Sequence, residues 1–206
     1  GFCNKTIWPL FHYFTGMVEY DQEQWEMYVQ ANTRFFDCIK TIVKDDDTIW
    51  VHDYQLMLLP QMIRDQFPGV KLGFFLHIPF PSYEIYRLLV WRNEILLGLL
   101  GADLIGFHTY DYARHFLSSV RRLLGYEHNL NQITFENRYV QVDAFPMGID
   151  YDRFAKEYNT SKFQEEVRRI VNSTQGEKII LSIDRLDYTK GIPHRIRSFN
   201  EFLRKN

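Results

Sequence analysis

Short apolar runs alternate with segments of helical spacing along most of the chain. Runs typical of buried strands occupy residues 48–51, 71–76, 103–107, 139–145 and 178–183. Apolar side chains recur at helical spacing in the stretch after Asp21, within residues 56–67, from Ser82 to about Leu100, from Thr109 to about Leu124, and in residues 161–171. This alternation, with short turns, predicts an α/β protein with a parallel sheet and helices on both faces.

Polar side chains follow four of the predicted strands at the point where each strand ends. His52 and Asp53 follow the first of these strands, His77 the second, His108 the third, and the pair Asp184-Arg185 the last. Because the carboxyl ends of parallel strands share one rim of a sheet, where ligands bind in this fold class, we expect these groups to lie on one rim.

The segment from Glu177 to Pro193 is typical of a strand, a polar turn and a helix start. Arg185 and Lys190 lie five residues apart in it, beside the free N–H groups of a helix N-terminus, which suits a diphosphate. The alternative is that both cations are solvated loop charges paired to Asp184 and Asp187. On this segment alone, the alternative is slightly favoured.

The other rim residues also have structural interpretations. Asp53 would serve equally well as the cap of the following helix, and a histidine such as His77, between an apolar strand and a proline-rich turn, is usually hydrogen-bonded to backbone. No dinucleotide-binding glycine motif, P-loop or hydrolase nucleophile elbow occurs. No cluster of histidine, cysteine and carboxylate has metal-ligand spacing. From the residues alone, a phosphate-bearing ligand is indicated and no more.

Composition narrows the class of protein. The 206 residues are 46% hydrophobic with a net charge of −2, which predicts a sizeable core and argues against a nucleic-acid binder. Cys3 and Cys38 form no disulfide framework, so a reducing cytoplasm is expected. We find no signal peptide and no membrane-spanning run. The start at Gly1 and the amphipathic pattern interrupted at Asn206 indicate a fragment.

Five segments carry a resemblance to a known family. They are WVHDYQLMLLP, GFFLHIPFP, LLGADLIGFHTYDYARHF, FPMGIDYDRF and DRLDYTKGIP. In this order they closely resemble successive motifs of the trehalose-6-phosphate synthases, the UDP-forming retaining glucosyltransferases, and the resemblance covers essentially the whole chain.

The resemblance implies a GT-B glycosyltransferase fold, in which two Rossmann-like domains face each other across a cleft. Residues 1–150 would form the acceptor-side domain without its first strands, residues 151–175 a linker helix region, and residues 176–206 the truncated start of the donor-side domain. The implied reaction transfers glucose from UDP-glucose to glucose 6-phosphate with retention, and yields trehalose 6-phosphate and UDP.

The resemblance also implies roles for individual residues. Arg185 and Lys190 match the pair that binds the UDP diphosphate, where fixed cations stabilise the leaving group without a metal or other cofactor. Asp53 matches the acid that binds sugar hydroxyls, rather than a covalent nucleophile, and His77 the histidine beside the transferred glucose. Two further positions, Ile78 in the same loop and Trp8 in the glucose 6-phosphate pocket, complete the expected binding set.

Other interpretations remain open at this point. A regulatory homologue would bind sugar phosphates without turnover, and a different GT-B enzyme would use another acceptor. The family's glycine turn and acceptor-phosphate arginine are expected before Gly1 and its uridine contacts after Asn206, so the isolated fragment is expected to be inactive. Neither a nucleic-acid nor a membrane partner is expected, whereas a homo-oligomer and a phosphatase domain in the same parent chain are both compatible with the resemblance.

Overall fold

A computed structural model describes residues 1–44 and 46–205. Asp45, in the predicted acidic turn, and Asn206, the last residue of the predicted donor-side segment, lie outside the described residues. The chain divides into two compact units, Gly1–Met147 and Gly148–Asn206. Each unit is described by itself.

The first unit contains, in its described residues, a six-stranded mixed sheet in the order β1-β2-β3-β6-β5-β4. The strands are β1 (Thr48–His52), β2 (Lys71–Phe75), β3 (Leu104–Phe107), β4 (His128–Asn129), β5 (Gln132–Phe135) and β6 (Arg138–Ala144). Strands β1, β2, β3 and β6 pair in parallel, as predicted. The antiparallel pairs of β5 with β4 and with β6 were not predicted, because β4 and β5 are short and are separated from their neighbours by tight turns.

The helices of this unit are α1 (Trp8–Phe11), α2 (Gln22–Ile39), α3 (Leu59–Gln66), α4 (Tyr83–Tyr86), α5 (Arg92–Leu100) and α6 (Tyr110–Leu124), with a π-helical turn at Cys3–Ile7 and 3₁₀ turns at Thr15–Met17 and Tyr54–Leu56. Two helices begin at side-chain caps: Asp21 accepts from the Gln24 N–H before α2, and Thr109 accepts from the Tyr112 N–H before α6. Ser82, a good N-cap by sequence, makes no capping bond before α4. Gly125 ends α6 in the left-handed conformation that glycine favours.

One predicted helix is two helices in the structure. We expected residues 82–100 to be continuous, but the chain leaves helical geometry between α4 and α5. The buried Trp91 stacks on Trp25, and the hydroxyl of Tyr86 donates to the Arg92 carbonyl. Tertiary packing therefore overrides the local helical pattern here.

Side chains on one face of the sheet form the core with the helices. The laterally paired residues Val51, Phe74 and Ile105 are all buried on that face. On the opposite face, Trp50 and Leu104 are exposed, at 63% and 38%. In the part of the chain that the structure describes, helices thus cover one face of the sheet, whereas the sequence pattern favoured both.

The second unit is helical in its described residues. It contains α7 (Tyr151–Tyr158), α8 (Ser161–Ser173) and α9 (Ile192–Lys205), with a 3₁₀ turn at Tyr188–Lys190. The prediction of a buried strand at residues 178–183 is wrong, since this segment has no regular structure and Leu181 is 77% exposed. A strand needs a neighbour for its backbone groups, and no other strand is present among the described residues of this unit. The helix predicted to begin near Pro193 is confirmed.

No helix within residues 1–44 and 46–205 combines the length and apolar character needed to cross a membrane.

Candidate functional site

The carboxyl ends of β1, β2 and β3 bring three histidines together. In-register pairing places His52 beside Phe75, which is two residues before His77. As a result, Nδ1 of His52 lies 2.9 Å from Nε2 of His77. The His108 ring lies 5.6 Å from the His77 ring, edge to face. The expectation that these three strand ends meet on one rim is confirmed. The fourth predicted strand end, Asp184-Arg185, belongs to the second unit.

Asp53 occupies an unusual backbone conformation at this rim. Its φ of 71° and ψ of 171° lie in a region that is otherwise almost exclusive to glycine, at a cost of about 1–3 kcal/mol. Its N–H donates to the Phe75 carbonyl at 2.8 Å, and its Oδ1 accepts from the His77 N–H at 3.1 Å. The Asp53 side chain makes no capping bond to the following 3₁₀ turn, so the cap interpretation does not hold.

The environment of His77 favours its neutral form. Partial burial lowers the pKa of the His77 imidazole; the Asp53 carboxylate opposes this effect, and nearby His52 and His108 add to it. A neutral imidazole has one N–H donor and one lone-pair acceptor, and since His77 Nε2 already contacts His52 Nδ1, the second ring nitrogen of His77 is the one left for a ligand. Such a group suits a ligand that is rich in hydroxyls.

Trp8 and Ile78 lie in the segments next to the rim. The Trp8 ring packs against His12 and Tyr54, with centroids 4.2 and 5.7 Å away. Its Nε1–H is buried and has no hydrogen-bond partner among the described residues. Ile78 is only 5% exposed, so its side chain belongs to the core and its backbone shapes the loop after His77.

A cavity of about 500 Å³ adjoins the rim on the exposed face of the sheet. Its walls include Trp50, Phe75, Phe145 and Met147, and His52 and His77 also line it. The cavity is therefore mainly apolar, and the two imidazoles supply its hydrogen-bonding groups.

The predicted cations lie in the second unit. Arg185 and Lys190 are both exposed, and Lys190 ends the 3₁₀ turn just before Gly191, whose φ of 63° allows α9 to start at Ile192. Asp184 does not pair with Arg185 as the alternative proposed, because its ion pair is with Arg195 at 2.8 Å.

The second acid of this turn acts as a cap. Asp187 Oδ1 accepts from the N–H and the hydroxyl of Thr189, at 2.9 and 2.7 Å. These bonds hold the turn that carries Lys190. The sequence pattern did not identify Arg195 as the partner of Asp184. Its position in the first turn of the predicted helix, close to the preceding loop, could have indicated this ion pair.

Within the described ranges, no group of three or more histidine, cysteine or acidic side chains is arranged to hold a metal ion.

Comparison with known proteins decides the family. The model of glycosyltransferase family 20 matches residues 1–206. The chain belongs to this family. It is 48% identical over 205 residues to the UDP-forming alpha,alpha-trehalose-phosphate synthase A of Dictyostelium discoideum, covering 100% of the chain and 28% of that protein. It is 49% identical over 209 residues to the UDP-forming alpha,alpha-trehalose-phosphate synthase of Yarrowia lipolytica, covering 98% of the chain and 45% of that protein. The family 20 chain thus spans less than half the length of these curated relatives.

Solved structures confirm the GT-B fold class of this family 20 chain. A UDP-forming alpha,alpha-trehalose-phosphate synthase from Burkholderia xenovorans, in complex with glucose-6-phosphate, matches with a TM-score of 0.90 at 32% identity over 99% of this chain and 46% of that one. The N-terminal domain of trehalose-6-phosphate phosphatase from Candida albicans matches with a TM-score of 0.82 at 37% identity, over 90% and 40%. The fold therefore occurs in proteins with different names.

Two features of the site escaped sequence analysis. The backbone conformation of Asp53 left no trace in the pattern, since glycine is the residue expected there. The contact between His52 and His77 depends on the register of β1 and β2, which the pattern does not specify. The shared position of the two histidines at strand ends was the only available signal.

Proposed function

We propose that the protein containing this chain transfers glucose from UDP-glucose to glucose 6-phosphate, with retention at the anomeric carbon, and forms trehalose 6-phosphate and UDP. Relatives named as UDP-forming trehalose-phosphate synthases support this proposal at 48–49% identity. The observation that carries it is Asp53, an acid held in a glycine-type conformation with its carboxylate bonded to the backbone of His77. Strain of this kind is retained where it serves a site.

In this proposal the rim residues bind the sugars. Asp53 accepts hydrogen bonds from sugar hydroxyls, and neutral His77 contacts the transferred glucose. Trp8 lines the glucose 6-phosphate pocket, while the buried Ile78 fixes the loop that follows His77. Asp53 acts as a binding group, not as a nucleophile.

Arg185 and Lys190 would bind the diphosphate of the donor. Negative charge develops on the leaving UDP as the glycosidic bond breaks, and positioned cations stabilise that charge in the transition state. Their exposure and the capped turn that carries Lys190 support this role. We propose that the reaction requires neither a metal nor another cofactor, since these two side chains supply the compensating charge.

The test is release of UDP by the full-length protein given UDP-glucose and glucose 6-phosphate, with trehalose 6-phosphate identified as product. Arg185→Gln should lower kcat by at least about 100-fold, the effect of removing one transition-state donor. The matched control Arg197→Gln removes another exposed cation, from α9, and should leave kcat unchanged. Equal losses in both variants would contradict the role of Arg185.

A regulatory protein without turnover is the second candidate, because the same fold occurs in the N-terminal domain of a phosphatase. Absence of UDP release from the full-length protein would favour it, and a preference for an unphosphorylated acceptor would indicate another transferase. We further propose a cytoplasmic protein, and that residues 1–206 alone do not catalyse transfer, since they span less than half of the relatives.

A further inference from the structure

The contact between His52 and His77 requires one proton between the two rings. Their nitrogens Nδ1 and Nε2 lie 2.9 Å apart, and the ring planes differ by 24°. Two lone pairs at this distance repel each other, as do two N–H groups, so one nitrogen donates and the other accepts.

Two arrangements of neutral rings satisfy this requirement. In the first, His52 donates from Nδ1, and both rings then carry their proton on Nδ1. In the second, His77 donates from Nε2 to a lone pair on His52 Nδ1, and both rings carry their proton on Nε2. A free neutral histidine side chain prefers the Nε2–H form, so the second arrangement uses the intrinsically favoured tautomer twice.

We propose that His52 is a positioning residue that holds His77 as the Nε2–H tautomer, so that His77 Nδ1 is a hydrogen-bond acceptor. The role of this acceptor toward a sugar hydroxyl rests on the proposed function. The orientation of His77 is independent of the proposed function, because it follows from the hydrogen bond with His52 and from packing.

Packing on both sides of the pair supports a fixed geometry. The Trp50 ring lies 4.4 Å from the His52 ring, and Phe75 lies 4.7 Å from the His77 ring. The backbone N–H of His77 is bonded to Asp53, which anchors the start of its loop. His52 thus approaches His77 from a rigid strand, as a positioning group should.

The charged and titratable groups near His77 together favour its neutral form. They are Asp53, His52 and His108, and burial together with the two imidazoles lowers the pKa of His77. Near neutral pH, the His77 ring therefore carries one proton, on either Nδ1 or Nε2, and the experiment must determine which nitrogen carries it.

Ring ¹⁵N NMR of the histidine-labelled chain tests the proposal without any activity assay. In the unmodified chain, His77 Nε2 should give a protonated-type signal and Nδ1 a lone-pair-type signal, with scalar coupling between His77 Nε2 and His52 Nδ1. His52→Phe removes the acceptor, so His77 should return to the tautomer equilibrium of a free ring, in which Nε2–H still predominates but a measurable Nδ1–H fraction appears. His52→Asn retains an acceptor oxygen near the Nδ1 position and should restore the Nε2–H form.

His128→Phe is the matched control, since His128 lies on β4 at the opposite edge of the sheet and its Nδ1 contacts the Leu130 carbonyl in the turn after that strand. It should leave the His77 signals unchanged. A proton on His77 Nδ1 in the unmodified chain would overturn the proposal, as would an unchanged His77 tautomer in His52→Phe. The coupling in the unmodified chain decides the matter if a variant does not fold.

Kinetics of the full-length protein separate this inference from the proposed function. His52→Phe should lower kcat/KM about tenfold, as expected for one misoriented hydrogen bond, and His52→Asn should recover most of that loss. Absence of UDP release from the unmodified protein would count against the proposed function while leaving the NMR result valid. Normal kcat/KM in His52→Phe would show that the tautomer does not serve the reaction.

Discussion

Replacing Arg64 by methionine should destabilise the first unit by about 3 kcal/mol. The guanidinium donates to the carbonyls of Gly101 at 3.0 Å, Pro68 at 2.7 Å and Val70 at 2.9 Å, and to the carboxylate of Asp103 at 2.7 Å. Its side chain is only 10% exposed. The methionine side chain is similar in length to the aliphatic part of arginine but donates no hydrogen bond. The substitution therefore measures the contribution of the polar contacts of Arg64.

The magnitude follows from three of these four bonds. Pro68 accepts at the exposed end of the side chain, where water replaces the contact at little cost. The other three are partly buried, and each contributes about 1 kcal/mol net, with more expected for the bond to Asp103. A loss of about 3 kcal/mol corresponds to a decrease in Tm of about 10 °C for a unit of this size.

Urea unfolding followed by tryptophan fluorescence is the suitable assay. All 4 tryptophans of the chain lie in the first unit, so the signal reports that unit alone. Arg114→Met is the matched control, because the ion pair of Arg114 with Asp111 is exposed at 62% and 69% and should contribute less than about 0.5 kcal/mol. Equal shifts of the unfolding midpoint in both variants would refute this account of Arg64.

Three further predictions concern packing, protonation and reactivity. Gly101→Ala should destabilise by about 3 kcal/mol in the same assay, because a Cβ there would lie 2.3 Å from the Gln61 backbone nitrogen. Gly69→Ala, with open space around it, should change the midpoint little, and similar effects of the two would contradict the packing argument. His77 should titrate by NMR below its ordinary value of 6.5. At pH values between the lowered pKa of His77 in the folded chain and 6.5, the unfolded chain therefore binds more protons than the folded chain. The contribution of His77 to stability is thus lost as pH falls through this range, and a His77 titration midpoint at or above 6.5 would contradict this sign. Burial raises the pKa of the Cys3 thiol to about 11, so exposed Cys38 should react first with iodoacetamide at pH 8, and faster labelling of Cys3 would disprove the shift.

The parts of the fold that sequence analysis predicted are those with strong local signals. The three parallel strands β1, β2 and β3 are short apolar runs bounded by polar residues, and the structure shifts their ends by one residue at most. Helix α6 was bounded correctly because Thr109 caps its start and Gly125 its end. Local chemistry alone determines such boundaries.

The parts that were missed depend on partners distant in sequence. The segment 178–183 has the composition of a buried strand, yet in the second unit it lacks a neighbouring strand among the described residues and stays exposed. The break between α4 and α5 reflects the stacking of Trp91 on Trp25, 66 residues apart by number (91 − 25). Periodicity contains no information about either contact.

The candidate site combines both kinds of information. Each histidine could be located at a strand end from the local pattern, but their contact depends on the parallel register that pairs His52 with Phe75. A shift of β1 by one residue would turn His52 to the opposite face of the sheet and would move Val51 out of the core, where it is 4% exposed. Burial of Val51 therefore fixes the register, and the register in turn sets the distance between His52 and His77. The hydrogen bond that orients His77 is thus a consequence of how the core packs, which explains why sequence analysis found the residues of the site but not their geometry.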